Sequence, residues 1–414
     1  MAAMLRILCM LLAFSAVMPA QAGGPLQALL DATPAGGTLR LAPGTYTGPA
    51  VIDKPLILEG AGATVDGRGR GTVLTLRANG STLRGLRLVG SGGSHDQVDA
   101  ALRVEGEANL IENNVVEDVL FGIVLHRAVD NQIRGNRIRS RPAELADRGD
   151  GLRLWYSSHN RIEGNDIQGA RDLAVAHSPR NRFIGNRIRN NRYGMQLVFS
   201  PRNFLRGNVF DGNATGVAAL NSDGITVWAN VFQHSTQVSG ACLGFKETGA
   251  ALVIGNEILH CAVGVLSDSP LNPLQRISLL GNRFAHNLTG VVFYGEKGGH
   301  VVSDNRFEHN LIHASVMGTG DPLANHWHGN YWDDYQGFDR NGDGVGDTPY
   351  ELLAYADRIW MDFPAAKFFR STPVLELLDF LERLAPFVAP DLLLRDLAPR
   401  MNPRFPSAYL PEGG

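Results

Sequence analysis

Cysteine is nearly absent from this chain: three in 414 residues, at Cys9, Cys242 and Cys261. That excludes a cysteine-rich metal motif, so any metal would rest mainly on His and Met. An excess of one charge is also missing. The formal net charge is −3, which gives no support for nucleic-acid binding. No apolar run is long enough to cross a bilayer: Ile7–Met18 has 12 residues, where about 20 are needed. No amphipathic helical pattern fits between the short apolar stretches of the middle of the chain, which argues against leucine-rich and helical repeats.

The apolar run has a meaning of its own. Arg6 precedes it and Ala20-Gln21-Ala22 follows it, the layout of a secretory signal peptide cleaved after Ala22. Residues 1–22 are therefore expected to be removed, leaving a soluble exported protein with two cysteines. An oxidising compartment would join Cys242 to Cys261, and two buried free thiols fit the sequence equally well.

What the chain has in abundance is Gly, 48 in all, and a recurring phrase, Gly-Asn-x-Ile/Phe or a close variant. Its asparagines stand at Asn114, Asn136, Asn165, Asn186, Asn208, Asn230, Asn256, Asn282, Asn305 and Asn330, most of them 21 to 26 residues apart. A period near 22 means a solenoid. Eight residues after the Asn there is often a Gly followed by apolar residues, as at Gly122-Ile123, Gly194-Met195, Gly216-Val217, Gly264-Val265 and Gly290-Val291. Each period thus holds two or three short strands, with Gly and Asn at corners because both tolerate a left-handed backbone. The expected fold is all-β: a right-handed parallel β-helix of about ten coils between residues 38 and 332, with stacked Asn forming a ladder.

The ends differ from the middle. Pro25–Ala32 reads as a short helix that covers the apolar end of the first coil. Ser91–Val98 and Arg139–Asp150 are insertions expected on one edge of the solenoid, either as a binding edge or as solvated loops. The expected boundaries are 23–350 for the β-helix with its cap and closing loop, and 351–414 for a partly helical arm that serves as a lid or docks a partner. A helix is expected from Ser371-Thr372-Pro373 through 374–384, followed by the apolar run Leu392-Leu393-Leu394.

Three features carry a resemblance. They are the cap ending in Lys54-Pro55-Leu56-Ile57-Leu58-Glu59-Gly60, the Gly-Asn-x-Ile series, and the closing stretch from Gly329-Asn330-Tyr331-Trp332-Asp333-Asp334-Tyr335 to Asp347-Thr348-Pro349-Tyr350. Together they cover nearly all of the mature chain. It resembles the NosD-type maturation proteins of nitrous oxide reductase, within a broad superfamily of carbohydrate-binding proteins and sugar hydrolases. The resemblance implies a periplasmic assembly factor, not an enzyme, that assists the building of the reductase's copper clusters. It implies an ABC transporter, NosF and NosY, and the copper chaperone NosL as partners; the apolar faces at Leu375, Leu378 and Leu381 and at Leu392–Leu394 make 366–414 the expected transporter contact. The rival expectation is a polysaccharide lyase or epimerase on the same fold. The chain has no paired Asp-Asp between two coil strands with a nearby His-Gly, as polygalacturonase-like sites need, and no epimerase-like Asp-Pro-His. Asp147, Asp150 and Arg153 are the charges from which a site would have to be assembled.

Two patterns point to copper. His326 and His328 alternate on an extended segment and so share a face, and Met317 would add a soft thioether. Alternatively the pair only flanks a packed Trp327. His234, His260, His286 and His309 each stand four residues after a ladder Asn, so coil stacking would bring them together. They form either a column of ligands or a corner ladder bonded to itself and water. A third pattern points to calcium: Asp339, Asn341, Asp343, Val345 and Asp347 match the first nine positions of a calcium loop, with Gly344 at the sixth. Tyr350 stands where a bidentate Glu is expected, and an Asx turn satisfied by its own backbone is the alternative.

Overall fold

The computed structural model describes residues 24–268, 274–295, 298–317, 321–354 and 391–403. The signal segment at 1–22 and the helix expected at 374–384 lie outside the described residues. Within them the chain winds into a parallel β-helix with three sheets. Sheet A runs from Thr38–Arg40 to His326–His328, sheet B from Gly44–Thr47 to Tyr331–Trp332, and sheet C from Ala50–Ile52 to Ile312–Met317. Successive coils pair in parallel with little register drift, as in Ile188↔Phe210 and Phe210↔Phe232.

Sheet B has thirteen strands among the described residues, against the roughly ten coils expected. The extra coils are the first ones. Gly85 and Gly90 turn corners there without the Asn phrase, so counting asparagines missed them.

The reason for the fold is visible in one column. The residue two after each ladder Asn points inward in sheet B: Val116, Ile138, Ile167, Ile188, Phe210, Phe232, Ile258, Phe284, Phe307 and Trp332, all at most 1% exposed. Stacked aromatics continue it, with 4.9 Å between the Phe210 and Phe232 rings and 4.4 Å between Phe307 and Trp332. Burying each such side chain is worth roughly 1.5–3 kcal/mol. A one-residue slip would turn the whole column outward, so the apolar stack fixes the register.

The asparagines answer a different need. Each corner buries backbone N–H groups that no strand pairs. Asn208 Oδ1 accepts from both the backbone N–H and the side chain of Asn186, at 2.9 Å each, and Asn208 donates to Asn230 in the same way. A buried unpaired N–H costs about 1–3 kcal/mol, so the ladder is kept by the penalty for losing it. A second ladder stands five residues earlier, with Asn131, Asn160, Asn181 and Asn203 bonded in series.

Both ends are capped. The helix Leu26–Ala32 lays Leu26 and Leu30 into the core, as expected. At the other end Leu392–Leu394, on the tail expected as a lid or a partner-docking arm, lies in the strand Asp391–Asp396, which pairs with His326–His328 and with Tyr350–Ala354 in sheet A. Leu394 is 1% exposed, because the last coil has no successor and its apolar interior needs a lid. The two insertions do share an edge: Arg141 donates to the Ser91 and Gly92 carbonyls at 2.9 Å, and His95 meets the Asp147 carbonyl at 3.2 Å. Cys242 and Cys261 form a disulfide between neighbouring coils, both buried.

Candidate metal centre

The closing stretch places chemistry at the end of the solenoid. Trp332 fills the last inward position of sheet B and stacks on Phe307 below and Tyr350 above, at 4.4 Å each. The next residue, Asp333, turns the corner, its N–H bonded to the Phe307 carbonyl. One carboxylate oxygen of Asp333 accepts from the His309 backbone N–H at 2.6 Å and lies 2.9 Å from its Nδ1. The other lies 3.1 Å from Nε2 of His313, which is also 3.3 Å from Asp334. The Tyr350 hydroxyl donates to Asp334 at 3.2 Å.

His313 is 6% exposed on the strand Ile312–Met317. Burial opposes its positive charge, and the hydrogen bonds and charges of Asp333 and Asp334 outweigh that, raising its pKa to about 8. Burial works to raise the Asp333 carboxyl, and His313 and His309 hold it below the usual range. Burial, with Asp334 beside it, pushes the Tyr350 phenol up, so it stays a donor.

The ligand atoms of His313, Asp333 and Asp334 lie within 4.8 Å of one another, and among the described residues this is the group that could hold a metal ion. His309 borders it through Asp333. One imidazole and two carboxylates form a donor set for a divalent transition metal such as Cu(II) or Zn(II), more than for soft Cu(I). The Asp334 side, 56% exposed, leaves the group open to solvent.

The sequence reading missed this group, although signals existed. His313 stands eight residues after Asn305, where other coils have Gly264 and Gly290. Asp334 stands four after Asn330, in the register of the histidine column.

The expected sites fare differently. His326 and His328 are exposed on one face of sheet A around a buried Trp327, and Met317 ends a strand of sheet C. The three-ligand group suggested by their spacing is thus divided between two sheets. The histidine column does form: successive ring centroids from His234 to His309 are 5.5, 5.0 and 5.2 Å apart. Burial and the neighbouring imidazoles His286 and His234 lower the pKa of His260. The 339–347 loop closes on itself. Asp339 accepts from the N–H groups of Gly342, Asp343 and Gly344, Asp343 from Val345, and Asp347 from Arg340. That is the Asx-turn alternative, with its oxygens engaged by backbone.

A second polar group lies on sheet C, in a cleft of about 320 Å³ lined by Asp150, Arg153, Trp155, Arg171, Asp172 and Arg192 among others. Asp150 is 1% exposed, and burial raises its pKa against the pull of Arg171 and Arg153.

Residues 140–337 match the family described as "Periplasmic copper-binding protein (NosD)". A Pseudomonas aeruginosa protein named "Probable ABC transporter binding protein NosD" is 30% identical over 394 residues, 90% of this chain and 89% of that one. The chain belongs to the NosD family. A NosD protein of the same description from Stutzerimonas stutzeri is 28% identical, over 84% of this chain and 83% of its own. Among solved structures, the A-module of the Azotobacter vinelandii mannuronan C-5 epimerase AlgE6 superposes with a TM-score of 0.50 at 16% identity, covering 71% of this chain and 93% of that module. That likeness is one of fold. The NosD family is periplasmic by description, and among the described residues no helix is long and apolar enough to cross a membrane.

Proposed function

We propose that this NosD protein assists copper-cluster assembly in nitrous oxide reductase. In this reading it works beside an ABC transporter of the NosF and NosY type and receives copper from a NosL-type chaperone. The observation that carries it is the open group of His313, Asp333 and Asp334, bordered by His309, at the closing end of a chain whose family is described as copper-binding. Copper here is cargo. A carrier must release what it binds, and a half-open set of imidazole and carboxylate donors suits that better than a closed cage.

The chain's own residues supply what transfer needs. Asp333 orients His313, and Tyr350 holds Asp334 through its hydroxyl. The His313 ring meets the Trp332 ring edge-on at 5.7 Å, and Trp332 stacks on Tyr350, so the last rings of the apolar core form one wall of the site. The proton on His313 competes with a metal, so copper affinity should rise with pH up to about 8.

The test is copper binding by the exported protein and copper content of the reductase matured beside it. An Asp333→Asn, His313→Gln variant should fold, lose its tightest copper ion and leave the reductase short of copper. Full copper in both would sink the assignment. His326, His328 and Met317 are tested in parallel by His326→Ala, His328→Ala and Met317→Leu. A polysaccharide lyase or epimerase reading rests on the sheet C cleft with its buried Asp150, and release of unsaturated or epimerised uronates by the purified protein would favour it.

A further inference from the structure

His234, His260, His286 and His309 occupy one corner of four successive coils, each with φ between 52° and 60°. That left-handed corner is met in earlier coils by Gly169, Asn190 and Gly212, residues that adopt it at little cost. The turn itself therefore does not call for imidazole four times in a row. All four side chains are exposed, and their rings succeed one another at about one strand spacing, 5.0 to 5.5 Å.

The column has fixed ends and an open middle. His234 Nδ1 is 2.8 Å from Asp211, and His309 Nδ1 is 2.9 Å from Asp333. His260 and His286 make no side-chain hydrogen bond among the described residues, and their rings stack on those of their neighbours in the column. The last step matters most. The same Asp333 carboxylate that holds His309 holds His313 with its other oxygen, so the column runs without a gap into the candidate centre.

We propose that this column is a loading strip: it captures copper ions in transit and passes them coil by coil to the His313, Asp333 and Asp334 centre. The proposal rests on the copper reading of that centre. Imidazole nitrogens bind such metals at about 2 Å in the plane of the ring, so two stacked neighbours must turn toward one another to share one ion, which their exposure to solvent allows. Two nitrogens with the remaining positions open to water hold an ion loosely. Movement along the strip is ligand exchange from one imidazole to the next, with no change of oxidation state. The ladder geometry supplies nearly equal steps with a carboxylate at each end: Asp211 beside His234 where an ion is captured, and Asp333 beside His309 where it reaches the centre.

The test titrates the purified full chain with Cu(II), counting bound ions by dialysis and following nitrogen coordination by electron paramagnetic resonance. The variant is His260→Asn, His286→Asn, since Asn suits a left-handed corner and keeps the fold. The parent should bind more than one ion. The variant should lose the additional ions, keep the one at the centre, and fill the centre about tenfold more slowly at limiting Cu(II). If it binds as many ions, or loses them yet fills the centre at the parent rate, the strip is overturned and the exposed rings bind copper only adventitiously. Asp333→Asn, His313→Gln separates the two readings. It should lose the centre's ion and keep those of the column; if it loses none, the centre is wrong while the column remains the binding site.

Discussion

Asp396 stands where the next ladder asparagine would be. Its Oδ2 accepts from both the backbone N–H and the side chain of Asn330, at 2.9 Å each, although the two residues are 66 apart in sequence. Its Oδ1 accepts from Gly329, and the Trp332 indole also donates to Oδ2 at 3.3 Å. The carboxylate is fully buried. Asp396→Ala should leave several buried donors unpaired, at roughly 1–3 kcal/mol each, and should open the closing coil. Asp396→Asn retains one acceptor oxygen and should lose less. Hydrogen exchange across His326–Trp332 is the measurement, and equal protection in Asp396→Ala and the parent would contradict this role.

A mid-ladder substitution tests the same physics without a charge. Asn208→Ala removes the acceptor for two donors of Asn186 at 2.9 Å and the donor to the Phe183 carbonyl. The expected loss is roughly 2–5 kcal/mol, more than the cost of trimming an exposed side chain. Denaturant unfolding that shows a loss below about 0.5 kcal/mol would mean that water replaces the ladder there.

The pH dependence of the metal-free protein should carry the mark of His313. Its folded pKa, about 8, lies above the ordinary 6.5. The stabilisation is therefore fully present below pH 6.5 and is lost as pH rises through about 8. The 1.5-unit difference corresponds to about 2 kcal/mol. Stability should fall by that order from slightly acid to mildly alkaline pH, and His313→Gln should flatten the fall. An equally steep decline in that variant would assign it to another group.

The disulfide between Cys242 and Cys261 closes a separation of 19 residues. A loop of that size contributes roughly 3 kcal/mol. In a solenoid each coil contacts only its neighbours, so the effect should be local. Cys242→Ser, Cys261→Ser should speed hydrogen exchange about a hundredfold in Ala241–Lys246 and Val263–Asp268 and leave the coils near Ile111 unchanged. Uniform acceleration along the chain would show that the coils unfold as one unit.

The regular coils were legible because their cause is local and repeated. One Gly-Asn-x-Ile phrase states a left-handed corner, a buried amide and an inward side chain, and ten copies, counting close variants, state it ten times. The second ladder, at Asn131, Asn160, Asn181 and Asn203, is as regular in the structure, but Asp130, His159, Arg180 and Arg202 stand before its members where Gly precedes most of the first ladder, so its phrase is less distinct. The histidine column was legible for the same reason as the first ladder, since equal offsets from Asn become neighbours once coils stack. The centre was not. His313 and Asp333 belong to different coils and different offsets, and no periodic pattern links them.

By itself, then, the sequence determined the periodic part of this protein: parallel coils, their inward column, the Asn ladder and the row of imidazoles. The physical reason is that each follows from short-range geometry that every coil repeats. Only the tertiary structure decided how the series ends. It brought Asp396 and Leu394 back to cap a coil laid down more than 60 residues earlier. It joined the two cysteines, and it set His313 against Asp333 and Asp334. Those contacts depend on where the last coil lies open and which distant residues satisfy its unpaired donors, and nothing local in the chain encodes that.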